Sequence, residues 1–112
     1  MVTFATTNPT NLLARIKQLI DNGSIKTWAY DSDGDFTHTP TQWNKKAWLR
    51  PVITTTGLQL TFIAPSSGGS REVYAVYQGR FQEMMIVHFF KSFTTSSCTP
   101  EPVGRDSAVT AA

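Results

Sequence analysis

The sequence has few of the residues from which catalytic and metal centres are usually built. It contains a single cysteine, Cys98, and only 2 histidines, so neither an intrachain disulfide nor a cysteine-based metal cluster can form. No serine stands in a Gly-x-Ser-x-Gly motif, and the Gly68-Gly69 pair lacks the closing Lys-Ser/Thr of a phosphate-binding loop. We therefore expect no catalytic residue and no cofactor, and the sequence favours a non-enzymatic protein over an enzyme.

Positive charge and long apolar runs are equally scarce. With 10 Lys and Arg against 8 Asp and Glu, the formal net charge is +2, far below the basic density that binding to a phosphate backbone requires. Nucleic acid is therefore possible as a partner but not implied. No segment approaches the roughly 20 apolar residues of a membrane span, and residues 1–11 contain neither a basic leader nor an apolar run. The sequence thus predicts a cytoplasmic protein without a membrane partner.

The chain does contain enough apolar material for one core. Hydrophobic residues make up 40% of the chain and aromatic residues 12%, which is too much for a disordered protein. A first helix is predicted to begin at Pro9, with Asn8 as its cap, and to end at Asn22. A second, long helix is predicted to run from its cap, Ser70, to about Phe93.

Between the helices, β-branched and aromatic residues alternate with turn signals. Residues 25–30 are predicted to form one strand, and residues 47–53 and 58–64 are predicted to form a hairpin. Residues 40–45 match a short helical turn that carries Trp43.

These elements predict a two-layer α+β domain. It has an N-terminal helix, a three-stranded and mostly antiparallel sheet, and a long C-terminal helix, with both helices on one face of the sheet. We assign this single domain to residues 1–93. The polar, proline-containing segment 94–112 is predicted to be a disordered tail.

An acidic run follows the first predicted strand. Asp31, Asp33 and Asp35 alternate with a serine and a glycine, a spacing by which short loops offer oxygen ligands to calcium or magnesium. The run does not match the helix-loop-helix calcium loop, and Asp-Gly is a common turn dipeptide. We interpret it as a structural turn. The alternative is a metal site made of Asp31, Asp33, Asp35 and His38, which would bind a transition metal or activate a water molecule.

A set of aromatic and cationic side chains lies on the predicted strands and the turn between them. Side chains of these types are frequent in interaction hot spots, and they also stack on nucleic-acid bases. We predict a binding surface for protein or nucleic acid, formed by Trp28, Tyr30, Trp43, Trp48 and Arg50. The alternative is that Trp28 and Trp48 simply belong to the core.

The long helix carries two apolar arcs. The first runs from Val73 to His88 within about 120° of the helix surface and is predicted to pack on the sheet, with His88 buried in it. The second arc has to be covered either by the first helix or by another subunit. We predict that it forms a homodimer interface, and its members are Ile86, Phe89, Phe90 and Phe93.

Three segments, 28–40, 46–51 and 70–81, resemble a group of short bacterial proteins for which no activity is known. The resemblance extends over residues 12–93. It implies a bacterial cytosolic protein, and no functional residue is carried over from it.

Three functional hypotheses follow from these features. The leading one is a non-enzymatic interaction module that binds another protein or a second copy of itself. The second is a metal-assisted, hydrolase-type enzyme that uses the loop from Asp31 to His38. The third is a nucleic-acid-binding module that uses Trp, Tyr and Arg side chains on the sheet.

Overall fold

In the computed structural model, which describes residues 1–110, the chain folds as two helices packed on one antiparallel sheet. The elements, in chain order, are β1 (Val2–Ala5), α1 (Pro9–Asp21), β2 (Trp28–Tyr30), β3 (Phe36–His38), β4 (Trp48–Ile53), β5 (Gly57–Ile63), α2 (Arg71–Phe89) and β6 (Ser96–Cys98). The strand order across the sheet is β2-β3-β4-β5-β1-β6. The predicted α+β class is confirmed, but the prediction of a three-stranded sheet is wrong, because the described residues form six strands.

The three strands that the sequence did not indicate are short or lack a local signal. Strand β1 pairs with β5 in the register Val2↔Leu60, so no turn in the sequence connects the two partners. Strand β6 pairs with β1 although its residues are Ser96, Ser97 and Cys98, which carry no apolar alternation. The prediction that residues 94–110 belong to a disordered tail is therefore also wrong, because these residues include an edge strand of the sheet.

Both helices begin where their capping residues indicate. The Asn8 side chain accepts a hydrogen bond from the Asn11 N–H, which satisfies one of the free donors at the start of α1. Ser70 does the same for α2 by accepting from the Val73 N–H. Helix α1 stops before Asn22 as predicted, whereas α2 stops at Phe89, earlier than the predicted Phe93.

One face of the sheet carries the core. The registers Val2↔Leu60 and Leu49↔Phe62 place these four side chains on the same face, and none of them is accessible to solvent. Phe81 of α2 packs on this face, with its ring 5.0 Å from that of Trp28, 5.5 Å from Phe36 and 5.9 Å from Phe4. Leu12 and Ile16 of α1 belong to the same buried cluster, so both helices cover the same face of the sheet.

The segment that follows α2 is held to the core by buried polar contacts. Asp106 accepts hydrogen bonds from the Phe62 N–H at 2.8 Å and from the Met1 amino group at 2.6 Å, and its side chain is fully buried. The Ser107 N–H donates to the Phe62 carbonyl at 2.8 Å. Residues 106–107 therefore bind the backbone of β5 at Phe62, beyond the residues that pair with β1.

No helix among residues 1–110 combines the length and the apolar character needed to cross a membrane.

Candidate functional site

The most distinctive concavity of the molecule lies between the end of β3, the turn at residues 40–45 and the outer side of α2. It has a volume of about 370 Å3. Its lining combines apolar and polar side chains, namely Thr27, His38, Pro40, Trp43, Arg80, Glu83, Met84, Val87 and His88. Both histidines of the chain therefore face the same pocket.

His38, the last residue of β3, lines the pocket with a ring that is almost buried. The residue is 5% exposed, and its ring stacks on Trp28 with a centroid distance of 4.6 Å. Nδ1 lies 2.7 Å from the Thr27 carbonyl oxygen. Burial lowers the pKa of His38, so the ring is neutral near pH 7. Because a carbonyl can only accept, Nδ1 carries the proton and Nε2 presents a lone pair.

The turn that carries Trp43 is tied to the sheet and to α2. The Trp43 N–H donates to the Pro40 carbonyl at 2.8 Å, which closes one turn of chain as the sequence predicted. The Tyr77 hydroxyl of α2 donates to the Trp43 carbonyl, and the Lys45 N–H donates to Thr37 Oγ1 at 3.0 Å. These contacts hold the half-buried Trp43 side chain at the edge of the pocket.

The α2 side of the pocket is more exposed. Arg80 Nη1 lies 3.3 Å from Glu83 Oε2, and both side chains are more than half exposed. His88 is also exposed, so its predicted place in the core is wrong. The buried line of α2 passes through Phe81, Met85 and Phe89, at intervals of four residues. Such a line winds around the helix because a turn holds about 3.6 residues, and this turns His88 away from the core.

An apolar stripe adjoins the pocket on the outer face of α2. Ile86 is 56% exposed, Val87 63% and Phe90 65%, the three largest values among the exposed apolar side chains of the described residues. Of the two other members of the predicted interface, Phe89 is buried and Phe93 is partly buried against the core. Phe89 is 2% exposed beneath Arg15, and Phe93 packs edge-on against Phe4 at 5.2 Å.

The aromatic set that the sequence suggested as a binding surface is divided among different places. Trp28 is in the core, and the Tyr30 hydroxyl donates to Asp21 of α1 at 2.7 Å. Trp43 borders the pocket. Trp48 and Arg50 lie on the open face of the sheet, because their neighbour Leu49 points to the core. These five side chains therefore do not form the continuous stacking platform that single-stranded nucleic acid uses.

The acidic run forms the turn between β2 and β3. Asp31 Oδ1 accepts from the N–H groups of Asp33 and Asp35, each at 3.0 Å, and Gly34 adopts a φ of +85° that suits glycine. Arg50 binds both carboxylate oxygens of Asp35, at 3.1 and 2.9 Å. Among residues 1–110, the one group of three metal-ligating side chains with ligand atoms within 4.8 Å is Asp31, Asp33 and Asp35. His38 is not part of it.

Cys98 does not add a nucleophile to either site. Its thiol donates to Gln82 Oε1 at 2.9 Å, and burial raises its pKa. A thiol with a raised pKa is protonated near pH 7 and reacts poorly.

No family model matches the chain, and no curated protein or solved structure shows significant similarity to it. Function must therefore follow from the geometry of the site.

The pocket escaped the sequence-based predictions because its parts come from four segments that have no common motif. The available signals were Trp43 after a capping box and His38 after the acidic turn. Contacts of the turn with Tyr77 and Thr37, which the sequence does not indicate, bring these residues together.

Proposed function

We propose that the protein is a non-enzymatic interaction module that pairs with a second copy of itself through the outer face of α2. The observation that carries this proposal is the exposure of Ile86, Val87 and Phe90 on adjacent positions of one helix. Isolated exposed apolar side chains are common on soluble proteins, but contiguous ones usually mark an interface. A bacterial, cytoplasmic origin, suggested by composition and resemblance, belongs to the same proposal.

Charge complementarity supports a second copy as the partner. Two-fold symmetry is the commonest way for a chain to bind itself, and it presents the same patch on both sides. In an antiparallel pair of α2 helices centred on Val87, Glu83 of one copy faces the segment just beyond the end of α2 in the other, where Lys91 lies. Both side chains are exposed, so opposite charges flank the apolar stripe at both ends of the pair.

The size of the stripe limits the affinity. Three side chains cover only part of the roughly 800 Å2 that each partner buries in a standard interface. We therefore expect a dimer that dissociates in the micromolar range rather than an obligate one.

Sedimentation velocity over a micromolar concentration series tests the proposal. The wild type should shift from monomer to dimer, and Phe90→Glu should remain a folded monomer because a charge then sits in the apolar contact. Val52→Glu is a matched control, since Val52 is also an exposed apolar side chain, at 38%, but lies on the open face of the sheet. A wild type that stays monomeric throughout the series would refute self-association.

Charge exchange tests the antiparallel arrangement separately. Glu83→Lys and Lys91→Glu should each weaken the dimer, because each places like charges opposite one another. The double variant restores both pairs and should recover the affinity of the wild type. If the double variant is weaker than either single variant, the helices are not paired in this register.

A further inference from the structure

The pocket beside the stripe contains a hydrogen-bond acceptor that has no partner. Nδ1 of His38 is used by the Thr27 carbonyl, and Nε2 makes no hydrogen bond to any of the described residues. His38 is 5% exposed and lines the pocket, and Nε2 is not one of the fully buried atoms that lack a partner, so water reaches it. A ligand that fills the pocket displaces this water, so it binds best when it donates a hydrogen bond to Nε2 in its place.

The surrounding wall favours an aromatic molecule without net charge. Trp43, Pro40, Met84 and Val87 supply apolar and aromatic surface. The two charges in the lining, Arg80 and Glu83, have opposite sign and pair with each other at 3.3 Å. A volume of about 370 Å3 is enough for one or two fused rings.

A metal ion fits the pocket less well. A histidine that donates Nδ1–H to a carbonyl is oriented as metal-bound histidines are. A metal site needs further ligands, however, and within residues 1–110 the ligand atoms of His38, Glu83 and His88 are not gathered within 4.8 Å of one another. One histidine on an apolar wall provides a hydrogen-bond acceptor rather than a coordination sphere.

We propose that this pocket binds a small, uncharged aromatic molecule of the phenol or indole class, with its O–H or N–H donating to His38 Nε2 and its ring against Trp43. Val87 and Glu83 line the pocket and also belong to the proposed pair of helices, so the ligand is titrated into the monomeric Phe90→Glu variant, whose substituted residue is not part of the pocket lining.

Titration with paired ligands tests the hydrogen bond directly. Phenol and indole carry the donor, whereas anisole and N-methylindole keep the ring and lack it. In long-range 1H–15N spectra of the histidine rings, phenol and indole should shift the His38 Nε2 resonance much more than the His88 resonances. Each should bind about tenfold more tightly than its donor-free counterpart, which is the usual value of one such hydrogen bond. Equal binding within each pair, or no effect on His38, would overturn the proposal.

Variants separate this proposal from the dimer. Trp43→Leu removes the aromatic wall but keeps the backbone carbonyl that Tyr77 binds, and it should weaken the binding of phenol and of anisole alike. Phe90→Glu should still bind phenol as a monomer. If the monomeric Phe90→Glu variant does not distinguish phenol from anisole, the ligand proposal alone fails. If the wild type is monomeric and does distinguish them, self-association alone fails.

Discussion

The two halves of α2 differ in what covers them. The first half is covered by the segment that follows the helix. The Tyr74 hydroxyl lies 2.9 Å from Thr99 Oγ1 and 3.3 Å from Asp106 Oδ2, and Gln78 donates to the Thr99 carbonyl at 3.2 Å. The second half has no such cover on its outer side, where Ile86, Val87 and Phe90 are exposed.

This difference shows how polar and apolar residues reveal function. In the first half, the Tyr74 hydroxyl and the Gln78 amide nitrogen find partners from a segment far away in the sequence, although the buried Gln78 Oε1 has none. On the second half, large apolar side chains stay exposed, and the neighbouring His38 Nε2 has no partner in the chain. Unpartnered groups that another molecule can reach are the ones that point to a function.

The largest expected loss of stability comes from removing a contact that holds the segment after α2 over the first half of this helix. Asp106 is fully buried and accepts from Phe62 N–H, Val103 N–H and the Met1 amino group. Asp106→Ala removes the acceptor of both backbone N–H groups and the charge partner of the Met1 amino group, which keeps its contacts with Tyr74 and Thr99. Breaking a buried charge pair costs about 3–5 kcal/mol. Denaturant unfolding should show a loss of this size.

The matched control is Glu101→Ala in the same segment. Glu101 pairs with Arg71 at 3.0 Å, but its side chain is 69% exposed, so the loss should be about 0.5 kcal/mol or less. Equal effects of the two substitutions would mean that the segment 94–110 does not hold the first half of α2.

The second half of the helix allows a comparison between two neighbouring residues. Phe89 is 2% exposed and Phe90 is 65% exposed. Phe89→Ala should lower the free energy of unfolding by about 3 kcal/mol because it leaves a cavity in the core. Phe90→Ala should change it by about 0.5 kcal/mol or less, measured at a concentration where the protein is monomeric. A large loss with Phe90→Ala at that concentration would mean that the stripe is covered within the monomer.

Local signals were sufficient for part of this structure. Asn8, Pro9 and Ser70 specified the starts of both helices, because a cap acts within one turn. The β4–β5 hairpin and the turn after β2 were also predictable from adjacent residues. By contrast, β1 and β6 depend on pairing between the two ends of the chain, which leaves no pattern in either strand.

The two histidines illustrate the same limit at the candidate site. Helical spacing placed His88 in the core, and its position after an acidic turn made His38 a candidate ligand of the alternative metal site. In the structure His38 is buried and His88 is exposed. His88 is exposed because the buried line of α2 winds away from it, and His38 is buried because its ring packs against Trp28. Both are tertiary effects.

We expect a change of pH to have a smaller effect on the free energy of unfolding. Burial lowers the pKa of His38 in the folded state below the value of 6.5 that it has when unfolded. The hydrogen bond to the Thr27 carbonyl opposes this shift, and of the smaller effects Arg80 lowers the pKa and Glu83 raises it. The unfolded state therefore binds more protons as the pH falls below 6.5, so stability should decrease in that range.

Thermal unfolding as a function of pH measures this effect. His38→Gln should flatten the decrease below pH 6.5, whereas His88→Gln should keep it. A profile that is the same in His38→Gln and in the wild type would place the titration elsewhere.

The smallest effect is expected from adding a cation at the acidic turn. Like Tyr74 in the first half of α2, Asp31 and Asp35 already have hydrogen-bond partners within the chain. Asp31 accepts hydrogen bonds from two N–H groups of its own turn, and Asp35 accepts two hydrogen bonds from the Arg50 guanidinium. A cation would have to displace Arg50 to gain the third carboxylate. Millimolar calcium or magnesium should therefore leave the melting temperature of EDTA-treated protein unchanged, because a ligand that binds only the folded state must raise it. A rise that disappears in Asp33→Asn, which keeps the shape of the turn and removes an exposed carboxylate, would instead make the turn an ion site and favour the metal-assisted enzyme.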